Sequence, residues 1–293
     1  MKRVVVTGAS GLLGCKLVKA LSGGYKVIPT HNTHPSHPDS IRMDIVDGKE
    51  VARVLSAVKP ELVVHAAAET NVDKCETNRE YAWAVNAEGT RNIASACGKI
   101  GVRLAYVSTD YVFDGEKGHY SEEDKANPVN YYGVTKLEGE RFVRELCEDF
   151  VIARASVIYG WHPSRVNFAT WVIDSLKSGK RISVAEDNYN SPTLADNLAQ
   201  VILEIVGADA TGVYHAAGSE RISRYCFTME IAEVFGLDRS LVTPVKMGDL
   251  KVWVAKRPGD SSLSVDRARH ELKVSLLDVR EGLRAMRVLA SEE

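Results

Sequence analysis

A run of β-branched residues, Arg3–Thr7 (RVVVT), passes directly into Gly8-Ala9-Ser10-Gly11-Leu12-Leu13-Gly14. No other stretch limits the fold so tightly. Three consecutive valines suit a strand buried on both faces, as in a parallel sheet. Leu12–Leu21 then shows helical spacing and closes at Gly23-Gly24. Strand, glycine turn and helix in this order make a dinucleotide-binding opening. Glycines let the backbone approach a pyrophosphate, and the helix N-terminus favours its negative charge. Gly8, Ser10, Gly11 and Gly14 are the expected contacts of the turn. The spacing is GxxGxxG rather than GxGxxG. A plain tight turn is the bland alternative, and the position right after the first strand argues against it.

The bulk of the chain fits this opening. Its 293 residues suffice for one large α/β domain or two smaller lobes. Hydrophobic residues make up 45%, so the chain can build a sizeable core without disulfides or metals. The net charge is −2 with no long basic run, which argues against nucleic acid or an anionic membrane as partner. Cys15, Cys75, Cys97, Cys147 and Cys226 are scattered and form no Cys-x-x-Cys pair, as expected of reduced thiols in a cytoplasmic protein. Met1-Lys2-Arg3 leads straight into the first strand, so no secretion signal is expected. No apolar run reaches membrane-spanning length.

Tyr25–Thr30 reads as the second strand and ends in Thr30-His31-Asn32. NAD-specific sites usually carry an acid here for the ribose hydroxyls. Its absence leaves room at His31 and Asn32 for a 2′-phosphate and favours NADPH, with NADH left open; the nearest arginine is Arg42. His31, His34 and His37 recur every third residue, but Pro35 and Pro38 break any helix, so a solvated loop is expected and no metal site. Met43-Asp44-Ile45 sits where a third strand would bring a carboxylate and an apolar side chain to an adenine; it also reads as the start signal for a helix over Val46–Val58. Glu61–His65 is the next strand. Ala66, Ala67 and Ala68 at its end are small enough for a cofactor to approach. Asn86, in a helical stretch to about Ile100, is either a cofactor contact or a core or capping residue with a protein partner.

A strand over Leu104–Ser108 ends in Thr109-Asp110-Tyr111. A hydroxyl there could grip a reacting carbonyl. Pro128 and Asn130 mark the next helix start, and Tyr132 and Lys136 follow four positions apart on one face. An ammonium beside a phenol favours phenolate and makes tyrosine a usable proton carrier. Tyr-x-x-x-Lys alone is common on solvated helices. Glycine turn, strand-end hydroxyl and Tyr-x-x-x-Lys in this order are far more specific.

With these segments in place, the sequence resembles the extended short-chain dehydrogenases/reductases over essentially its whole length. More closely it is similar to the dTDP-4-dehydrorhamnose reductase family and to the regulatory β subunit of methionine adenosyltransferase. The supporting blocks are Ala66–Glu76 (AAAETNVDKCE), Ser108–Gly115 (STDYVFDG), Tyr132–Glu140 (YGVTKLEGE), Asn188–Thr193 (NYNSPT) and Ala255–Pro258 (AKRP). The resemblance implies a Rossmann-like, doubly wound parallel sheet and a smaller C-terminal lobe for a nucleotide-sugar. It implies Tyr132 as proton donor, Lys136 at the nicotinamide ribose and Thr109 at the sugar carbonyl, with Asp110 touching substrate. It also implies cofactor contacts at Gly11, Leu12, Leu13, Asp44, Ile45 and Ala66–Ala68. One departure is Ser156-Val157-Ile158-Tyr159, where the reductases usually carry tryptophan in place of Val157; Trp161 is the nearby candidate to compensate.

Val151–Ala155 completes the core pattern. Phe168–Ser178, Leu194–Val206 and Ser223–Phe235 read as helices and Gly212–Ala216 as a strand. These bounds place a cofactor lobe at 1–160, with a return around 188–216, and a substrate lobe over most of 161–293. Asn167 either bonds a ligand or caps its helix. Arg257 before Pro258 is either solvated or a bidentate pyrophosphate clamp. After Leu283 a surface helix and a short acidic end are expected. The expected activity is reduction of a nucleotide-sugar ketone, as in dTDP-rhamnose synthesis, with room for a homodimer. The alternatives are a non-catalytic regulatory subunit or an epimerase. Dehydratases pair the strand-end threonine with Asp-Glu; here Tyr111 follows Asp110, so that chemistry lacks its second carboxylate.

Overall fold

Val4, Val5 and Val6 are fully buried, but they serve two different cores. Val4 and Val6 pack with Leu13, Leu17 and Ile202 on one face. Val5 packs with Val51, Leu55 and Ile93 on the other. Side chains alternate along a strand, so an unbroken apolar run requires cover on both faces. The computed structural model describes residues 1–35 and 37–290; the acidic end expected at 291–293 lies outside the described residues.

In chain order the elements begin with strand β1 (Arg3–Thr7), helix α1 (Leu12–Leu21), strands β2 (Lys26–His31) and β3 (Ile41–Arg42), helix α2 (Gly48–Val58) and strand β4 (Leu62–His65). Short helices α3 (Val72–Thr77) and α4 (Arg79–Ala82) lead through a wide π-helical turn, Trp83–Glu88, into α5 (Gly89–Ile100). Then come β5 (Arg103–Thr109), α6 (Tyr131–Leu146), β6 (Phe150–Ala155), β7 (Ile158–Tyr159) and α7 (Phe168–Lys177). Next are β8 (Ile182–Ala185), β9 (Tyr189–Asn190), β10 (Thr193–Leu194), α8 (Ala195–Gly207) and β11 (Gly212–His215). The chain ends with β12 (Ile222–Ser223), α9 (Arg224–Phe235), β13 (Val242–Val245), α10 (Asp266–Glu271) and α11 (Val279–Leu289).

Among the described residues, seven strands form one sheet in the order β3-β2-β1-β4-β5-β6-β11, and every pairing is parallel. The chain winds out to β3, then reverses through β4 to β11. The reversal lies between β1 and β4, where an open parallel sheet leaves a crevice at its carboxyl edge. Helices α1 and α8 cover one face, and α2, α5 and α6 the other. A third core gathers Tyr159, Val172, Ile173, Phe227, Ile231 and Leu283 around α7, α9 and α11. There β8 and β13 pair in parallel, far apart in sequence.

Local chemistry sets the helix starts. Asn130 caps α6 by accepting from the Gly133 amide, and Ser223 caps α9 from the Cys226 amide. Asp47, not Asp44, caps α2, because its carboxylate takes the Lys49 and Glu50 amides; the helix therefore starts at Gly48 rather than Val46. The third strand likewise ends at Arg42, one residue short of Met43.

The α5–α6 contact is tight enough to specify a residue. A Cβ on Gly98 would stand 1.9 Å from the Leu146 carbonyl oxygen. Alanine gains about 1 kcal/mol over glycine inside a helix, but overpacking against backbone costs about 1–3 kcal/mol or more. Gly98→Ala is therefore expected to lower unfolding stability in a denaturant titration. An equal or higher midpoint would contradict the packing described.

Candidate active site

The carboxyl ends of β1, β2, β4, β5 and β6 open into one cavity of about 790 Å³, within the range of small-molecule sites. Gly8, Ser10, Gly11, Leu12, Leu13 and Gly14 form its glycine-turn wall. Gly8 has φ +68°, and a Cβ there would lie 2.7 Å from the Ala67 backbone, so turn and neighbouring loop both require glycine. His31 and Asn32 line the cavity at the end of β2, with Asp44 and Ile45 beside them. His34 and His37 stay on the exposed connection, and Arg42 pairs with Glu50 outside the cavity. Among the described residues, no group of three or more His, Cys, Asp or Glu could hold a metal.

Ala66, Ala67 and Ala68 line the middle of the cavity, and buried polar bonds fix them. The Thr90 hydroxyl donates to the Asn86 carbonyl at 2.6 Å, so it accepts from His65 Nε2, 3.1 Å away. His65 Nδ1 is then left to accept from Thr7 Oγ1 at 2.6 Å, and Thr7 Oγ1 accepts from the Ala67 amide. Burial, and then the nearby Lys136 charge, push the His65 pKa down to about 3, so the ring is neutral.

Tyr132, Lys136 and Thr109 meet on the same cavity wall. Tyr132 and Lys136 share a face of α6, and Thr109 ends β5. The Thr109 hydroxyl near the Tyr132 phenol favours its ionisation, but burial dominates and raises its pKa, so the phenol keeps its proton. The Lys136 ammonium is not the influence expected on that phenol. It donates to the Val107 carbonyl at 2.8 Å and lies 4.1 Å from the Tyr106 ring centroid. Burial lowers its pKa to about 7 against the opposing pull of Glu140.

Other expected ligand contacts are already engaged. Asn86 is fully buried and off the cavity wall; it brackets Glu69, accepting from its amide and donating to its carbonyl, and donates to Thr135. It therefore positions the loop after β4 and does not line the cofactor wall. Asp110 lines the cavity, yet its carboxylate accepts from Thr109, Ser156 and Ser261 at 3.0, 2.9 and 2.6 Å. Burial raises its pKa against those three hydroxyls. Asn167 borders the cavity as the cap of α7, with its amide group donating to the Gly160 carbonyl. Val157 lines the cavity at φ +39°, a left-handed conformation rare for a β-branched residue. Trp161 turns away, donating to the Met286 carbonyl and packing on Phe235, so it does not replace the missing ring.

The RmlD substrate binding domain family matches residues 1–290. The chain belongs to the RmlD family. A crystal structure of dTDP-4-dehydrorhamnose reductase from Bacillus anthracis in complex with NADP is 31% identical, with TM-score 0.90, covering 98% of this chain and 99% of that one. The probable low-salt glycan biosynthesis reductase Agl14 of Haloferax volcanii is 35% identical over 98% of both chains. Methionine adenosyltransferase 2 subunit beta of Xenopus tropicalis is 30% identical over 91% of this chain and 81% of its own.

For this RmlD-family chain, an NADP-sized ligand suits the turn on one further observation. Helix α1 starts at Leu12 after the N-cap Gly11, with no side-chain cap and no acid in its first turn, so its first amides remain available to a phosphate.

Arg257 is not the clamp expected. It does not line the cavity; it grips Asp73 with two Nη bonds of 3.0 and 2.8 Å. Asp73 also takes the Val254 and Ala255 amides, tying α3 to the C-terminal segment. The cationic groups that do line the mouth are Arg165 and Arg224, which the sequence reading passed over. Arg224 follows the Ser223 cap, so a helix N-terminal arginine was the available signal. Arg257→Ala is expected to cost about 1–3 kcal/mol of stability by removing two of the four bonds to Asp73, with dTDP affinity within about two-fold of wild type. Lost dTDP binding at unchanged stability would restore the pyrophosphate clamp.

Proposed function

We propose that this chain is an NADPH-dependent reductase of a nucleotide-sugar ketone, of the dTDP-4-dehydrorhamnose type. The observation that carries this reading is the convergence of Thr109, Tyr132 and Lys136 in the cavity lined by the uncapped glycine turn. The B. anthracis reductase in complex with NADP, alike along the whole chain, supports it. The absence of an acid at Thr30-His31-Asn32 supports NADPH, with NADH as a second donor.

The bound reduced nicotinamide supplies the hydride. Tyr132 donates its proton to the oxygen of the reduced carbonyl, and the raised pKa keeps that proton in place until negative charge develops. The Thr109 hydroxyl, turned from Asp110 toward the substrate, orients the same oxygen beside the phenol. Lys136, fixed by the Val107 carbonyl, offers its remaining donors to the nicotinamide ribose. Gly8–Gly14 hold the pyrophosphate, His31 and Asn32 the adenosine end, and Asp44, Ile45 and Ala66–Ala68 the adenine side and the middle of the cofactor. Val157 borders the sugar, with Asp110 as a buried brace beneath it. Residues 1–160, with the return at 188–216, form the cofactor lobe, and 161–293 most of the substrate lobe.

A regulatory role beside another enzyme is the second reading, favoured by the 30% identity to a methionine adenosyltransferase subunit. Among the described residues no helix is long and apolar enough to cross a membrane. We place the protein in the cytoplasm, acting on a soluble nucleotide-sugar, with a homodimer compatible with this role.

Tyr132→Phe decides between the readings. The reductase reading predicts nucleotide-sugar-dependent NADPH oxidation by the wild type, reduced roughly 10²–10⁴-fold in the variant, with the NADPH Kd nearly unchanged. Wild-type turnover retained in the variant would remove Tyr132 as the acid. Tight NADPH binding without any wild-type oxidation would favour the regulatory role.

A further inference from the structure

We propose that Arg224 takes the diphosphate of the nucleotide-sugar; this rests on the reductase reading above. A nucleoside diphosphate brings concentrated negative charge into the cavity, and its recognition calls for a fixed cation. Three cationic side chains line that space: Lys136, Arg165 and Arg224. Lys136 is buried against the Val107 carbonyl beside Tyr132, at the reacting end. Arg257, outside the cavity, is committed to Asp73. Arg165 lies on an exposed loop. Of the two arginines on the wall, Arg224 is the one held in position.

The positioning is specific. The Arg224 backbone amide donates to the Asn188 carbonyl at 2.9 Å, and its Nε donates to Asn188 Oδ1 at 2.8 Å. Asn188 is itself buried and donates to the Pro258 carbonyl at 2.8 Å. The guanidinium carbon lies 4.7 Å from the Phe168 ring centroid, which supports one face of the plane. The Nε edge is thus occupied, which leaves the Nη groups as the outer donors. Tyr111, also on the cavity wall, is a neutral neighbour, its pKa raised by burial against the opposing charge of Arg224. Among the described residues Arg224 makes no salt bridge, and the Asp110 carboxylate, which its charge favours, is bound to three hydroxyls. A planar fork with its stem fixed and its outer donors unpaired by carboxylate suits two phosphate oxygens. A neutral sugar alone would leave it without a counter-charge.

The test is calorimetric titration of the NADP⁺-loaded protein with dTDP and, separately, with thymidine. Arg224→Met keeps the stem on Phe168 and removes the charge; Arg224→Lys keeps the charge and removes the fork. The expected result is a dTDP Kd weakened about 10- to 100-fold in Arg224→Met and several-fold in Arg224→Lys. Thymidine and NADP⁺ affinities should stay within two-fold of wild type. If Arg224→Met does not fold, the lysine variant decides on the same readout. A dTDP Kd within two-fold of wild type in the folded variants overturns the assignment and leaves the reductase reading standing. Wild-type protein that binds NADP⁺ but neither dTDP nor UDP overturns both.

Discussion

The site depends on how one buried ion pair seats α6 against the sheet. Glu140 is fully buried, and its two oxygens accept from Arg154 Nε and Nη2, both at 2.8 Å. Ser108 at the end of β5 adds a bond of 2.7 Å, and Arg144 one of 2.9 Å. Burial alone would raise the Glu140 pKa; Arg154 and Ser108 overcome it and hold the carboxylate charged. Such a pair gains little net stability, because desolvation offsets most of the Coulomb attraction. What it fixes is register: one turn earlier on the same helix face lies Lys136, and one turn before that Tyr132. Sliding α6 by one residue would break the Glu140 bonds to Arg154 and Ser108 and leave only Arg144, on the same helix, with the carboxylate.

A second node holds the cavity floor. Asp110 draws hydroxyls from the ends of β5 and β6 and from Ser261 in the C-terminal segment. Ser156 also accepts from the Ser191 amide, so the chain leaving β6 and the segment before α8 meet there. Asp73 and Arg257 make the outer tie on the other side of the cavity. These polar contacts join the sheet's carboxyl edge to the core built on α7, α9 and α11, and the cavity lies between them. The strained φ of Val157 sits in this junction, where Thr193 donates to both the Ser156 and Val157 carbonyls.

The nucleotide-binding half was legible because its signals are local. The valine run, the glycine turn and the apolar spacing of Leu12–Leu21 each specify their element within a few residues. Tyr132 and Lys136 were legible for the same reason: four positions on a helix put them on one face. Asn86 stayed open between two roles, and Arg257 was misplaced, because their partners, Thr135 and Asp73, lie 49 and 184 residues away and leave no trace in the adjacent sequence. A buried polar residue announces that it needs a partner, not which one. The same applies to Arg224, whose role is set by Asn188 and Phe168, and to the β8–β13 pairing. Trp161 looked available for the sugar, but the core around Phe235 claims it.

Hydride delivery at the Tyr132 wall is the central claim. The direct measurement is turnover of a dTDP-4-keto-6-deoxy sugar with NADPH deuterated at the transferring face, followed by mass spectrometry of the product. The account predicts one deuterium per product molecule, on the new carbinol carbon, with one NADPH consumed for each. Unlabelled or merely isomerised sugar, with the cofactor still bound and reduced, would contradict it.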